Sequence, residues 1–390
     1  MRFYALLLLG CLCLSAQTIR KLDGSTITTQ EAEIYARKVL TDANVTGAQI
    51  AIVNNGRLVW SMAHGLRQLN PDLPMTKETT TWAASITKGV FATYVMQLVE
   101  RGEFNLDTPI AKQLKKPLNQ YSVYSESASD LVTDPNWQLV TPRMALNHTT
   151  GFVNLVMFAP DKKLHLQFKP GARYSYSGEA LNLLQFLIEE QKGRPLDQLM
   201  HESLFAPLGM TRTAIAFRKE FEANIADRFN DKGAFLAKTR RNARAAGSMT
   251  TSAEDMAVFA QALFENKILK PSTRKALLHP SIQIRTKRQF PSEYLTEGTQ
   301  AKEVGLAYGM GWGLLTKTKF GKAFFKEGHG DGAQTFMICF ERNKDCMIIL
   351  TNSDNGERTY RSLLETLFGN TVTPWEWHGY PATLTAPEAR

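Results

Sequence analysis

The sequence has few cysteines, with four among 390 residues. Two of them, Cys11 and Cys13, fall in an apolar N-terminal segment, which leaves Cys339 and Cys346 for the rest of the chain. One pair is too few for the disulfide framework of a stapled scaffold. The pair flanks a polar segment, and a tight turn in its centre would place Cys339 opposite Ile348 rather than Cys346. We therefore predict two free, packed thiols.

The sequence also lacks a long apolar run. Residues 3–14 are apolar, but this stretch is shorter than the roughly 20 residues that span a bilayer. A basic Arg2 before it and small residues at 15–16 are typical of a secretory signal peptide, predicted here as residues 1–16. The mature protein is then expected to be periplasmic or secreted, without stable membrane insertion. A buried N-terminal helix and a lipoprotein anchor at Cys11 remain alternatives.

Several chemical signatures are missing as well. The chain has no G-x-S-x-G or H-E-x-x-H motif, no phosphate loop and no dinucleotide fingerprint, and its seven histidines lack metal-ligand spacing. We therefore predict neither a metal nor another cofactor. The formal net charge is +9, but the basic clusters at 238–244 and 285–288 are not interleaved with aromatic residues. We accordingly predict no nucleic-acid partner.

The pattern of apolar residues predicts an α+β (mixed α/β) fold. Strands near both ends of the chain most simply share one antiparallel β-sheet flanked by helices, with the middle of the chain as an inserted, mainly α-helical lobe. The sheet lobe would comprise 17–106 and 247–370, the helical lobe 107–246, and an irregular tail 371–390. The predicted helices are Glu31–Leu40, Ile86–Glu100, Ala180–Glu190, Leu196–Leu204, Asp255–Phe264 and Tyr360–Leu367, and the predicted strands are Ala48–Val53, Leu58–Ala63, Leu306–Leu314, Thr335–Glu341 and Cys346–Thr351.

Ser85 and Lys88 lie at the start of the predicted helix 86–100. Residues three apart share a helix face, so the Lys88 amine can reach the Ser85 hydroxyl. A serine becomes a nucleophile when a base takes its proton, and a lysine can be that base when burial or nearby positive charge keeps it neutral. The helix N-terminus favours the negative charge that develops. A solvated capping serine is the structural alternative for so short a pattern.

Two further segments carry polar groups. Residues 170–178 contain a Pro-Gly turn and a loop that can hold the Tyr176 phenol over a site, although a buried loop tyrosine is the alternative. Residues 328–332, Gly-His-Gly-Asp-Gly, precede a predicted strand. Glycine-rich backbone there lets a substrate approach closely and supplies an N–H for an oxyanion, whereas a bend between strands is the alternative.

The order of these segments resembles the serine β-lactamase and penicillin-binding protein superfamily, on its class C and esterase-like side, from about residue 30 to 370. The resemblance implies a β-lactamase/transpeptidase-like fold. The matching segments are Ser85–Lys88 (S-x-x-K), residues 147–151 (LTHTSGL), 168–178 (PPGxxFxYSN), 205–210 (FxPLGM), 246–256 (GGLxSTAxDMA) and 308–312 (YGLGW).

The resemblance also implies roles. Ser85 would carry the acyl group and Lys88 would be the general base. Tyr176 would pass the proton to the leaving group and help activate water. His329 would begin the third, substrate-binding element as H-x-G. The oxyanion hole would be the N–H groups of Ser85 and Gly332.

The chain departs from the family pattern at two positions. Gly178 stands where the family has Asn, in a substrate-binding place, and Asp331 occupies the glycine of H-x-G. Both argue against a proficient β-lactamase. A rival alignment takes Lys326–Gly328 as K-x-G. We prefer His329 because an aromatic residue, Phe336, follows it by seven positions.

The sequence thus predicts an exported serine hydrolase that forms a covalent acyl-enzyme on Ser85. Its substrate would be an ester, a small amide or a D-amino-acid peptide, cell-wall peptides included, with weak β-lactam hydrolysis as an option. The alternative is a catalytically weak or inert penicillin-binding-like envelope protein that binds or regulates. One of Arg240, Arg241 and Arg244 is a candidate for binding a substrate carboxylate. The sequence does not predict an oligomeric state.

Overall fold

The structure, a computed structural model, describes residues 17–237, 242–290 and 296–380. The predicted signal peptide, residues 1–16, lies outside them. Within these ranges the strands are β1 Thr18–Arg20, β2 Thr26–Thr28, β3 Gly47–Asn54, β4 Arg57–Gln68, β5 Leu73–Pro74, β6 Thr81–Trp82, β7 Arg228–Phe229, β8 Phe235–Leu236, β9 Thr250–Thr251, β10 Ile282–Gln283, β11 Leu306–Tyr308, β12 Gly313–Leu315, β13 Ala323–Gly330, β14 Ala333–Phe340 and β15 Asp345–Thr351.

The helices of the described ranges vary from one turn to four turns. They are α1 Thr29–Asp42, α2 Ile86–Glu100, α3 Ile110–Gln113, α4 Pro142–Leu146, α5 Gly178–Lys192, α6 Leu196–Met200, α7 Ala206–Leu208, α8 Ala253–Phe264, α9 Pro271–Leu277, α10 Thr299–Glu303, α11 Tyr360–Leu363 and α12 Trp375–His378. Short π-helical turns, His201–Phe205 and Leu364–Phe368, continue α6 and α11. Among the described residues no helix is both long and apolar enough to cross a bilayer.

Nine strands form one antiparallel sheet in the order β10-β11-β12-β13-β14-β15-β3-β4-β5. The two ends of the chain meet where β15 pairs with β3, with Ile349 opposite Ile50. This arrangement confirms the predicted fold class. The described residues of 107–246 give no strand to this sheet and contain α3–α7 with the small β7–β8 hairpin.

Helices cover both faces of the sheet. Successive side chains of a strand point to opposite faces. Along β14, Met337 belongs to the core beneath α2 and α8, and Phe336 belongs to the core that includes residues of α1 and α11. Both side chains are fully buried. The sheet is therefore a central layer, and the site described below lies where β13 meets the start of α2.

Local sequence explains the first elements. Thr28 accepts from the Glu31 backbone N–H while the Glu31 carboxylate accepts from the Thr28 N–H, so a capping box starts α1. Asn55 and Gly56 join β3 to β4 with φ of 50° and 73°, the left-handed values that a tight hairpin turn needs. The predicted first helix and hairpin are confirmed.

The prediction of one strand over Leu306–Leu314 is wrong. The chain makes two strands, β11 and β12, which form a hairpin whose turn is closed by Gly309 N–H donating to Trp312 O over 2.9 Å. Gly311 in this turn has φ of 76°, and a Cβ there would lie 2.8 Å from Lys88 O. The turn packs closely against α2, and it separates the predicted strand into β11 and β12.

The prediction of free thiols is also wrong, because Cys339 and Cys346 form a disulfide. They lie directly opposite each other in β14 and β15. Phe340 pairs with Asp345, so the connection is the four residues 341–344 rather than a two-residue turn. An ion pair from Arg20 to Asp345, at 2.8 Å, holds the end of this hairpin. The register was misjudged because the turn was taken to be too short.

The expected irregular tail is ordered in its described part, 371–380. Helix α12 lies in it, and Trp377, His378 and Tyr380 are buried against the sheet. The remainder, 381–390, lies outside the described residues. The aromatic content of this segment, rather than any helical periodicity, is what binds it to the core.

Candidate active site

Ser85 directly precedes α2, and its side chain makes no capping hydrogen bond. The residue before it, Ala84, has φ of 45°, a left-handed conformation that costs a residue other than glycine about 1–3 kcal/mol. Neighbouring contacts hold that backbone in place: Thr87 Oγ1 donates to Ala84 O over 2.5 Å, and Ala83 N–H donates to Met249 O over 2.8 Å. The Ser85 hydroxyl is therefore not used as a cap.

The Lys88 amine is buried beneath this serine. Lys88 is 3% exposed, and its Nζ donates to Ser85 Oγ over 2.8 Å and to Ala246 O. Burial lowers the pKa of Lys88; Tyr176 opposes this shift, and the Lys326 ammonium adds to it. A lysine with a lowered pKa is neutral more often at a given pH, which is the state in which it can accept a proton.

Tyr176 comes from the loop before α5 and lies over both amines. The Nζ atoms of Lys88 and Lys326 are 4.9 Å and 5.1 Å from its ring centroid. Burial alone would raise the pKa of the Tyr176 phenol, but the charges of Lys326 and Lys88 outweigh burial and lower that pKa. The phenol can therefore give up its proton more readily than an ordinary tyrosine.

His148 fixes the Tyr176 loop from behind. The two rings lie 4.4 Å apart between centroids, His148 O accepts from Ser175 N–H over 2.8 Å, and His148 Nδ1 accepts from Ser177 N–H over 3.2 Å. Burial lowers the pKa of His148 well below its usual value, so the ring is neutral. In the sequence, His148 is only one residue of the matching segment 147–151, and this positioning role was not predicted.

A buried ion pair lies beside Tyr176. Lys326 and Glu327 are 0% and 2% exposed, and Lys326 Nζ donates to Glu327 Oε1 over 2.8 Å. Glu327 Oε1 also accepts from Gln289 Nε2 over 2.9 Å. Burial would raise the pKa of Glu327, but Lys326 and His378 lower it to about 2. Burial would lower the pKa of Lys326, but Glu327 and Tyr176 raise it. Both members of the pair are therefore charged.

These contacts overturn the preferred alignment of the third element. The residue beside Tyr176 is Lys326, and Gly328 packs against the nucleophile: a Cβ on Gly328 would lie 2.6 Å from Ala83 O and 2.9 Å from Ser85 N. The K-x-G segment at the site is thus 326–328. The choice of His329 rested on Phe336, which is an ordinary core residue of β14. Asp331 consequently does not replace a motif glycine.

His329 lines the cavity, but both nitrogens of its ring are bonded to other side chains of the protein. Its Nδ1 bonds to Glu357, and its Nε2 lies 3.0 Å from Tyr380 Oη. Gly332 is in the turn between β13 and β14, and its N–H donates to Asp354 Oδ1 over 2.6 Å. The prediction of Gly332 as an oxyanion donor is therefore wrong, because that amide is already bonded on the other side of the turn.

The backbone amide of His329 points in the other direction. Amides of an antiparallel strand point alternately to its two neighbours. Glu341 N–H donates to Lys322 O over 2.9 Å, so even-numbered residues of β13 bond to β14 and His329 faces the opposite edge. Among the described strands, β12 pairs with that edge no further than Phe325. The His329 N–H therefore points to the edge of β13 that β12 leaves uncovered, next to Gly328, which packs against the Ser85 backbone.

Gly178 leaves room for its neighbours rather than for a side chain. It is the first residue of α5, and its N–H donates to Asn154 Oδ1 over 3.0 Å. A Cβ at Gly178 would lie 3.1 Å from Leu155 Cδ2 and 3.3 Å from Ala246 Cβ. A side chain at this position would therefore press on Leu155 and Ala246. Asn154, which accepts from the Gly178 N–H, lines the same cavity.

These groups surround a cavity of about 480 Å³. Its wall includes the predicted residues Ser85, Lys88, Tyr176, Gly178 and His329. It also includes side chains that the sequence did not single out, namely Trp82, Asn154, Leu155, Phe158, Asn182, Arg228, Leu236, Glu327 and Phe290. Apart from Glu327, which belongs to the rival K-x-G alignment, no motif or periodic pattern marks these residues, because they come from elements far apart in the sequence.

Of the arginines predicted to bind a carboxylate, Arg244 lines the cavity, whereas Arg240 and Arg241 lie outside the described residues. Arg228 is a second arginine in the wall; its guanidinium lies 4.9 Å from the Trp82 ring and donates to Asp331 O over 2.9 Å. In the described ranges no three His, Cys, Asp or Glu side chains come together as metal ligands.

A family model matches most of the chain, and curated relatives match about half of it. The family model described as Beta-lactamase matches residues 26–368. Esterase EstB of Burkholderia gladioli is 27% identical over 225 residues, which are 50% of this chain and 54% of the esterase. A putative D-alanyl-D-alanine carboxypeptidase of Escherichia coli is 26% identical over 198 residues, 44% of each chain. The chain thus spans about half the length of the curated relatives it matches.

A solved structure shows the same fold. The octameric penicillin-binding protein homologue from Pyrococcus abyssi superposes with a TM-score of 0.71 at 20% identity. The superposition covers 90% of this chain and 80% of that protein. At this identity the likeness concerns the architecture.

Proposed function

Since the chain belongs to the beta-lactamase family, we propose that it is a serine hydrolase that forms a covalent acyl-enzyme on Ser85. The observation that carries the proposal is the 2.8 Å contact between the buried Lys88 amine and the Ser85 hydroxyl, with the Tyr176 phenol above it. A nucleophile, a base whose pKa is lowered by burial and a second proton carrier are the groups that acyl transfer needs.

The first half-reaction follows from these positions. Neutral Lys88 takes the Ser85 proton as Oγ attacks the substrate carbonyl carbon, and the carbonyl oxygen gains the negative charge. The N–H groups of Ser85 and His329 stabilise that oxyanion. The intermediate then expels its leaving group, which takes a proton through Tyr176, and the acyl group stays on Ser85.

The second half-reaction uses the same groups in reverse. Tyr176 or Lys88 removes a proton from a water molecule that attacks the acyl carbon, and Ser85 leaves with its proton restored. Lys326, fixed as an ammonium by Glu327, stabilises negative charge on the phenol oxygen during both transfers.

The substrate is an ester, a small amide or a D-amino-acid peptide, including cell-wall peptides, with weak β-lactam hydrolysis as an option. The esterase and the putative carboxypeptidase among the relatives support this range. Arg244, which lines the cavity, would hold an anionic group of the substrate.

We also propose that the protein works in the periplasm or outside the cell, after removal of residues 1–16. The Cys339–Cys346 disulfide supports this location, because such bonds persist mainly in oxidising compartments. Peptide mapping of the protein from its native host should find the mature N-terminus near residue 17 and no free thiol. A cytosolic full-length chain with two free thiols would contradict the proposal.

Fluorophosphonate labelling tests the hydrolase function directly. The probe should modify the folded protein at Ser85, and Ser85→Ala should abolish the label. Ser272→Ala, at an exposed position of α9, is the matched control and should label like the wild type. A folded wild-type protein that resists the probe and turns over neither p-nitrophenyl esters, nitrocefin nor D-alanyl peptides would instead be the inert binding or regulatory protein.

A further inference from the structure

Large apolar side chains that face solvent are concentrated near the candidate active site. Among the described residues, those exposed by 40% or more are Ile34, Val123, Leu139, Met157, Phe158, Phe235 and Phe290. Phe158 and Phe290 line the cavity that holds Ser85, and Val123 and Met157 line a second cavity. Contiguous exposed apolar surface of this kind usually marks a binding site.

The second cavity adjoins the first. It has a volume of about 330 Å³, and Leu155, Asn182 and Arg244 contribute to the walls of both. Its other walls come from the inserted segment, including Val123, Phe186 and the 3₁₀ turn Val156–Phe158. A ligand whose reacting carbon lies at Ser85 can therefore extend over Leu155 without leaving the surface of the protein.

Three polar side chains of the second cavity, Glu179, Gln185 and Glu189, are bonded within the protein. Glu179 Oε2 accepts from Val156 N–H over 3.2 Å, and Glu189 Oε1 accepts from Leu196 N–H over 2.7 Å. Gln185 donates to Ala243 O over 3.1 Å and accepts from Ala245 N–H over 2.7 Å. These two carboxylates and this amide hold loops together, and the apolar wall beside them is formed by Val123, Leu155, Met157 and Phe186.

We propose that the two cavities form one groove for the long apolar acyl chain of an ester substrate. The ester carbonyl lies at Ser85, and the acyl chain crosses Leu155 and packs against Val123, Met157 and Phe186. The inference rests on the proposed function and narrows it to lipophilic esters. Burying each methylene of the chain contributes enough free energy to raise kcat/KM by up to about fourfold.

A series of p-nitrophenyl esters with acyl chains from acetyl to dodecanoyl, each below its micelle concentration, tests the groove. We expect kcat/KM to increase from acetate to laurate. In the double variant Met157→Ser/Val123→Ser the laurate-to-acetate ratio of kcat/KM should fall by about tenfold, because two apolar side chains of the groove are lost. Ile34→Ser removes an equally exposed apolar side chain from α1, away from both cavities, and should keep the wild-type ratio.

The outcomes separate this inference from the proposed function. Wild-type protein that hydrolyses acetate but shows no increase with chain length, or variants that keep the wild-type ratio, would overturn the groove and leave the hydrolase intact. A wild-type protein without turnover or fluorophosphonate labelling would overturn both. If sedimentation shows a dimer that Met157→Ser dissociates with the ester ratio unchanged, the apolar patch binds a second copy of the chain and the groove is refuted.

Discussion

Lys326 Nζ lies 2.8 Å from Glu327 Oε1, although the two residues are neighbours in one strand whose side chains start on opposite faces. The contact lies in the part of β13 beyond Phe325, which β12 does not pair with among the described residues. The pair thereby brings a fixed positive charge to the Tyr176 ring.

Glu327→Gln should move the whole pH–rate profile to lower pH. Glu327 raises the pKa of Lys326, and its charge also acts to raise the pKa of Lys88 and of Tyr176. Without that charge all three pKa values fall. The acid limb, where Lys88 becomes neutral, and the alkaline limb, where Lys326 loses its proton, therefore both shift to lower pH. The other titratable groups whose charges interact with the pair are His148, Tyr174, Tyr308, Tyr360 and His378.

The measurement is kcat/KM for a soluble p-nitrophenyl ester against pH. Glu327→Asp should restore the wild-type limbs in part, since it keeps the charge, and Glu365→Gln, at an exposed position, should leave them unchanged. A slower Glu327→Gln enzyme with both limbs where the wild type has them would show that the carboxylate matters only for packing.

Lys88→Ala should lower kcat/KM by about 10²–10⁴-fold, the usual contribution of a general base, because Ser85 then has no amine to take its proton. Addition of a small primary amine such as methylamine should recover part of the rate in proportion to its concentration. Circular dichroism and a fluorophosphonate time course give the fold and the acylation rate. Near-normal acylation by a folded Lys88→Ala protein would remove this lysine from the mechanism.

Tyr176→Phe should also lose most of the activity, because the phenyl ring keeps the packing on His148 but cannot carry a proton. The loss should be larger for substrates with poor leaving groups, such as an alkyl ester, than for a p-nitrophenyl ester whose leaving group needs little protonation. Equal losses on the two substrates would argue that Tyr176 only orders the site.

Sequence reasoning reached the fold and the centre of the site because their signals are local. The helix near Glu31, the strands on either side of Asn55-Gly56 and the Ser85–Lys88 contact each depend on interactions within a few residues, and each is found where predicted. The grouping of strands from both ends followed from the order of elements alone.

What sequence reasoning missed depends on register and on contacts between distant segments. The disulfide required knowing that four residues, not two, connect β14 to β15. The third element could be assigned correctly only by knowing which side chain of β13 lies beside Tyr176, and that side chain is Lys326. In the sequence, the alignment on His329 was preferred because of Phe336. The roles of Asn154, Phe290 and Tyr380 are set by loops that only the folded chain brings together.

Gly328→Ala tests the assignment of the third element, because no other glycine of β13 approaches the nucleophile's backbone so closely within the described chain. The added methyl group would lie 2.6 Å from Ala83 O and 2.9 Å from Ser85 N, which are backbone atoms that cannot rotate away. We expect a loss of about 1–3 kcal/mol in the free energy of unfolding and a slower fluorophosphonate reaction, since Ser85 must shift.

Gly247→Ala is the matched control for stability, because the nearest neighbour of its added methyl group would be 3.6 Å away, in ordinary contact. Its free energy of unfolding should stay within about 0.5 kcal/mol of the wild type. If urea denaturation found Gly328→Ala as stable as the wild type, with an unchanged labelling rate, β13 could not lie against Ser85 as described, and the oxyanion donor would have to be sought elsewhere than at His329.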